Sequence, residues 1–246
     1  VEDLDALVRR VDEDRWMASR FAPADVRVRL LAIYALNHEI ARTAEIVKEP
    51  ALGDVRLAWW RDAIADALAG GASQPHDALQ ALARAHAHTP LSPTHFTILV
   101  EARRCDWDTA PFADWAAFDA YVDATAGGVM RLAAEACGAR DERADFLSKA
   151  AWIWGATGLL RAEPVWRARG RDLWPNGGTS HDVITRVGRA IQDLRAIAPP
   201  SAPIFPAYGY VANAAAYLRA IARAGAAPGL FRRQVRLVAA SVTGRV

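Results

Sequence analysis

Carboxylates four residues apart in a helix project from one face, and such a pair can hold a divalent cation between its oxygens. Three spacings of this kind occur: Asp62 with Asp66, Asp119 with Asp123, and Asp141 with Asp145. With 28 Asp and Glu in a helix-rich chain, such coincidences are expected, and solvated faces or caps explain them better than a metal centre. Asp119 and Asp123 are the least bland, because Ala126-Gly127-Gly128 follows, and glycine there lets a helix bend or a ligand approach the backbone. Glu45 is a single carboxylate with Arg42 and Lys48 nearby, which reads as an ion-paired helix position and a weak cation site. His86, His88 and His95 form no convincing metal set: a helix turns the first two apart, and no cysteine or carboxylate is placed with them. Nucleophile-elbow, P-loop and GxGxxG patterns do not occur.

The elements that would position these groups are helical almost throughout. Segments rich in Ala, Leu and Arg carry helical periodicity, and no alternating β-branched run argues for a sheet. Pro23-Ala24-Asp25 starts a helix with Val26, Leu30, Ile33 and Ala41 suited to its inward face, and Gly53-Asp54 starts another that ends at Gly70-Gly71. Further helices are predicted at about 76–88, 92–108, 113–137, 141–162, 180–197, 204–224 and 228–242. Ala162 to Gly178 and the proline-rich Ile197 to Pro206 read as loops, the latter a stiff connector. Pro164 disfavours a helix continuing past it. In Trp59-Trp60 the indoles cannot share one face, so one belongs to the core and the other to a helix contact or partner surface. Arg56 and Arg61 beside them suit an anion or, more commonly, a salt bridge.

The chain is 246 residues long, 52% of them hydrophobic, which supports a sizeable core and a single all-α domain over residues 1–246. Thirty Lys and Arg against 28 acids leave a net charge of +2, too balanced to imply nucleic acid. Cys105 and Cys137 stand alone, which gives no disulfide framework and favours a reducing compartment. No signal-peptide pattern opens the chain and no long charge-free apolar run spans a membrane, so the expectation is a cytoplasmic protein, with peripheral membrane contact left open.

Tyr34-Ala35 and the helix following it, Trp59-Trp60-Arg61, Ala126-Gly127-Gly128, and Leu160-Arg161 with Gly170-Arg171 and Pro175 after it resemble the squalene/phytoene synthase family. The resemblance implies an all-α isoprenoid synthase bundle around a central cavity. In that family, two aspartate-rich helices hold magnesium against a substrate diphosphate, and the cations neutralise charge as the leaving group departs. At the first motif the aligned positions here are Ala41 and Glu45. At the second, roughly QxxNxLRDxxxD, they are Gly155, Gly158, Ala162 and Trp166, so its four polar side chains are missing while Arg161 remains.

The loss at both motifs resembles the non-catalytic branch that includes the mitochondrial respiratory complex I assembly factor. That likeness implies complex I assembly or prenyl-lipid binding, with complex I subunits, a prenyl lipid or an isoprenoid diphosphate as partners and no cofactor. Ligand contacts would fall to Tyr34, His38, Asp119, Asp123, Gly127, Gly155, Gly158 and Arg161, and Trp154 or Trp166 can plug the old diphosphate site. The alternative is an active, magnesium-dependent prenyl transferase that joins two isoprenoid diphosphates by displaced acids such as Glu45, Asp119 and Asp123.

Overall fold

A helix buried on all sides sets the architecture. In the computed structural model, which describes residues 3–71, 75–139, 143–175, 177–223 and 225–246, α3 (Ala24–Ala41) buries every residue from Leu30 to Leu36. An all-round apolar surface of that kind belongs at the centre of a bundle. Around it pack α1 (Leu4–Val11), α2 (Glu13–Ser19), α6 (Asp77–His88) and α9 (Gly128–Ala136). The protein is all-α, and no strand occurs among the described residues. The main apolar core runs from Leu7 to Ala240.

Local chemistry accounts for most boundaries. α5 (Pro50–Leu68) begins at Pro50 rather than at Gly53, since proline is pre-set for the first helical position and its missing N–H costs nothing there. α7 (Pro93–Ala102) begins the same way and then tightens into a 3₁₀ segment, Arg103–Trp107. A capping box joins Thr179 and Asp182 at the start of α11 (Ser180–Arg195). The expected helix over 204–224 is broken into 3₁₀ and short α pieces before α13 (Ala214–Ala222), while α14 (Leu230–Thr243) closes the chain.

Two departures concern the site. The glycine pair at 127–128 does not break its helix. Instead, α8 (Trp115–Val122) passes into α9 through one π-helical turn, Asp123–Gly127, in which the Gly128 N–H reaches back to the Asp123 carbonyl. The predicted loop from Ala162 is also corrected, because α10 (Ala144–Ala168) continues through Pro164. Side-chain anchoring beyond the proline outweighs its lost hydrogen bond. Glu163 accepts from Arg167 Nη2 at 2.7 Å and from Trp174 Nε1 at 3.0 Å, and Trp166 packs against the core. The i+4 partner of Glu163 is therefore a cation.

Trp60 is the core member of the tryptophan pair and meets the half-buried Trp59 edge-on at 4.8 Å. Arg56 lies over Trp59, and Arg61 pairs with Asp62 and Glu101. Burial pushes the Cys137 thiol up to about 12 and also raises Cys105. Iodoacetamide at neutral pH is therefore expected to modify Cys137 in the folded protein far more slowly than in urea, which mass spectrometry of timed samples will show.

Candidate functional site

The two segments expected to carry metal ligands are linked by an ion pair. α4 (Thr43–Ile46) carries Glu45, whose Oε1 lies 3.4 Å from Arg169 Nη2 just beyond α10. Two guanidinium groups lie over Trp166, Arg169 at 5.4 Å and Arg171 at 5.3 Å from its ring centre. Arg171 is buried, stacks on Phe112 at 5.2 Å and donates to the Cys105 carbonyl. Ala41 and Ala162 are half-buried methyl groups. Where two motifs would share divalent cations, this end of the bundle holds arginines and an indole.

A central cavity of about 170 Å³ lies farther inside, between α3, the 3₁₀ segment after α7, the π turn and α10. Its apolar lining includes Val122, Ala126, Val129 and Leu159, and its charged lining is Arg15 and Arg103. Facing carboxylate pairs do not line it. Arg103 holds a buried network: Nη1 lies 3.5 Å from Asp106 Oδ2, Nη2 donates to Asn37 Oδ1 at 3.4 Å, and Tyr121 Oη donates to Asp106 Oδ1 at 2.6 Å. Burial raises the Asp106 carboxyl above its usual range, although Arg103 and Tyr121 pull the other way.

Next to it, sharing Arg15, Trp154 and Gly158, is a pocket of about 450 Å³ whose walls include Asp14, Arg161, Tyr217 and Arg233. Asp14 is buried and accepts from Asn213 Nδ2 at 2.9 Å, Tyr217 Oη at 2.6 Å and Arg233 Nη1 at 3.3 Å. Burial nevertheless leaves its pKa raised. Arg161 lies over the Tyr217 ring at 4.2 Å. Arg15 lies over both Tyr34 and Tyr210 and pairs with Asp12 at 2.8 Å.

The expected ligand residues thus divide. Gly155 and Gly158 line the central cavity, and Arg161 joins Gly158 in the outer pocket. A Cβ on Gly155 would stand 2.7 Å from both Ala126 Cβ and Val122 Cγ1, so that glycine is a helix contact; at Gly158 nothing lies within 4 Å. Tyr34 is buried behind Arg15, and its hydroxyl has no partner among the described residues. His38 is half-buried, and burial lowers its pKa, which favours the neutral imidazole. Gly127 lies inside the π turn, where a Cβ would meet Asp123 Oδ1 at 2.7 Å.

Asp119 and Asp123 line a separate surface groove between α8, α10 and α11. Asp119 accepts from Trp152 Nε1 and Arg186 Nη2, and Asp123 pairs with Arg131 at 2.9 Å. Asp62 and Asp66 are both exposed, while Asp141 lies outside the described residues. The histidines are dispersed: His86 accepts from the Leu91 N–H, His88 bonds the Arg84 carbonyl, and His95 pairs with Glu135.

A family model described as squalene/phytoene synthase matches residues 8–186. The chain belongs to the squalene/phytoene synthase family. The family fold is shared with a dehydrosqualene synthase solved in complex with a ligand, at a TM-score of 0.76 and 13% identity over 98% of this chain and 94% of that one. It is shared as well with the squalene synthase HpnC from Alicyclobacillus acidocaldarius, at a TM-score of 0.74 and 22% identity over 92% and 94%. Curated relatives include "NADH dehydrogenase (ubiquinone) complex I, assembly factor 6" of Mus musculus and of Homo sapiens, each 24% identical over 172 residues, 69% of this chain and 51% of the relative. The chain spans about half the length of these relatives.

Magnesium, which membership of the squalene/phytoene synthase family implies, does not fit this donor set. Glu45 is already paired with Arg169, and no group of three or more His, Cys, Asp or Glu placed to hold a metal occurs among the described residues. The residues that sequence reasoning missed are Asp14, Arg15, Arg103 and Asp106, while Arg171 entered only as part of the family-like tail. Each is a charged residue that also meets partners from other segments, which no local spacing marks.

Proposed function

We propose that this squalene/phytoene synthase-like protein does not join prenyl diphosphates and instead acts by binding, in assembly of NADH:quinone oxidoreductase. The observation that carries this reading is the Glu45 to Arg169 ion pair, with Arg169 and Arg171 both over the Trp166 ring. Ionisation of an allylic diphosphate needs cations that stabilise the departing charge. A guanidinium can bind a diphosphate, but here one is spent on the surviving carboxylate and the other on a backbone carbonyl.

A cavity of about 150 Å³ takes one benzene molecule, so the central cavity of about 170 Å³, with the pocket of about 450 Å³ beside it, has room for an isoprenoid segment. Prenyl-lipid binding by a single chain end is compatible with the assembly role. Transferase chemistry through Glu45, Asp119 and Asp123 would need those carboxylates to turn from Arg169, Arg186 and Arg131 and to act from two different surfaces. The relatives named for complex I assembly support the choice among binding roles.

Incubation with farnesyl or geranylgeranyl diphosphate and magnesium is expected to release no diphosphate and form no C30 or C40 product. Turnover that Glu45→Gln or Asp119→Asn abolishes would sink the proposal. Crosslinking in cells followed by mass spectrometry is expected to recover complex I subunits, and recovery of none would remove the assembly role.

A further inference from the structure

A surface helix normally turns its apolar stripe inward, yet α14 carries two. Leu237 and Ala240 face the core, and Arg233 ties the helix to α2 by ion pairs with Glu13 and Asp14. On the opposite side, at spacings of four, three and four residues, stand Phe231, Val235, Val238 and Val242. They are 76%, 51%, 54% and 83% exposed. At about 100° per residue these four fall within a narrow sector diametrically opposed to the buried face, so the helix presents a continuous apolar ridge to its surroundings.

Charge decides what fits the ridge. After Asp193 the chain contains no Asp or Glu, and residues 194–246 carry seven arginines, Arg195, Arg219, Arg223, Arg232, Arg233, Arg236 and Arg245. The total of +2 therefore conceals a polar distribution, with residues 1–193 net acidic. Arg232 flanks the ridge on one side, and Arg236, farther round on the same side, donates to the Arg232 carbonyl. An apolar ridge beside arginines with no acid on the helix matches the boundary between acyl chains and anionic headgroups. Nucleic acid would match the arginines and leave the ridge wet. No helix among the described residues is long and apolar enough to cross a membrane, so the contact is one of lying on the surface.

We propose that α14 docks this protein on an anionic lipid surface, with Phe231, Val235, Val238 and Val242 entering the interface and Arg232 and Arg236 contacting headgroups. This does not depend on the function proposed above. Co-sedimentation of the full chain with vesicles of equal parts phosphatidylcholine and phosphatidylglycerol should show binding, and vesicles of phosphatidylcholine alone should show little. Phe231→Ser with Val238→Ser, and separately Arg232→Glu with Arg236→Glu, are each expected to weaken binding at least about tenfold. Added salt should weaken the wild type and matter less to the charge-reversed variant. Because these side chains are exposed or half-exposed, thermal unfolding should be nearly unchanged. Lack of wild-type binding, binding undiminished by both variants, or a light-scattering mass of two chains that the serine variant halves would each overturn the proposal.

Discussion

Arg103→Leu is expected to cost about 3–5 kcal/mol of folding stability, because it leaves a buried carboxylate without its ion-pair partner. Among the described residues, Asp106 then keeps the Tyr121 hydroxyl as its direct side-chain donor. Urea unfolding measures the loss, and the Arg103→Leu/Asp106→Asn double variant should recover a substantial part of it. The pH dependence has a definite sign. Asp106 binds its proton more tightly in the folded chain than in the unfolded one, where its value is near 3.8. Its linked stabilisation is therefore fully present below about 3.8 and is lost as pH rises through the folded value. Removing Arg103 raises that folded value further, so the variant should regain stability as pH falls from neutral, over a wider window than the wild type. A variant equally destabilised at every pH would contradict the geometry of the pair.

The second large effect separates two glycines that the family resemblance treats alike. Gly155→Gln is expected to destabilise by at least about 1–3 kcal/mol, as overpacking at a close helix contact does. Its Cβ meets Ala126 Cβ and Val122 Cγ1 at 2.7 Å, and neither is the yielding end of a long side chain, so α10 must move from the π turn. Gly158→Asn should be nearly neutral, since its Cβ enters open space and helix propensity improves. Thermal unfolding will distinguish them, at roughly 2–4 °C per kcal/mol for a chain of this size. Equal melting temperatures would refute the contact. Restoring the family's polar residues at Ala41, Gly155, Gly158, Ala162 and Trp166 would therefore fail sterically at Gly155 before metal affinity became the issue.

From α3 onward the helices were legible from periodicity, but α1 and α2 were not, and the start of α5 was placed at Gly53 although Pro50 marks it. The segment around Pro164 was not, because what holds that helix together is Trp174 reaching Glu163 from eleven residues away. Positions 41, 162 and 166 were informative through what is missing, which only comparison with a family pattern can supply. The cation that pairs with Glu45, Arg169, lay in a stretch expected to be loop. Buried Asp14 shows the same limit most clearly, since Asn213, Tyr217 and Arg233 all come from the far end of the chain. No spacing rule connects positions about two hundred residues apart.

The π turn at Asp123–Gly127 gives the segment one residue more than an unbroken α-helix would use. Each residue advances a helix by about 100°, so that surplus sets which side of α9 faces inward and lets Val129, Met130, Leu132 and Ala133 all reach the interior. In an alignment with relatives that lack the turn, the true correspondence contains a one-residue gap inside what looks like continuous helix. Closing the gap to favour continuity would rotate every later comparison in α9 onto the wrong face, and positions assigned by such an alignment would describe the neighbour of the residue intended.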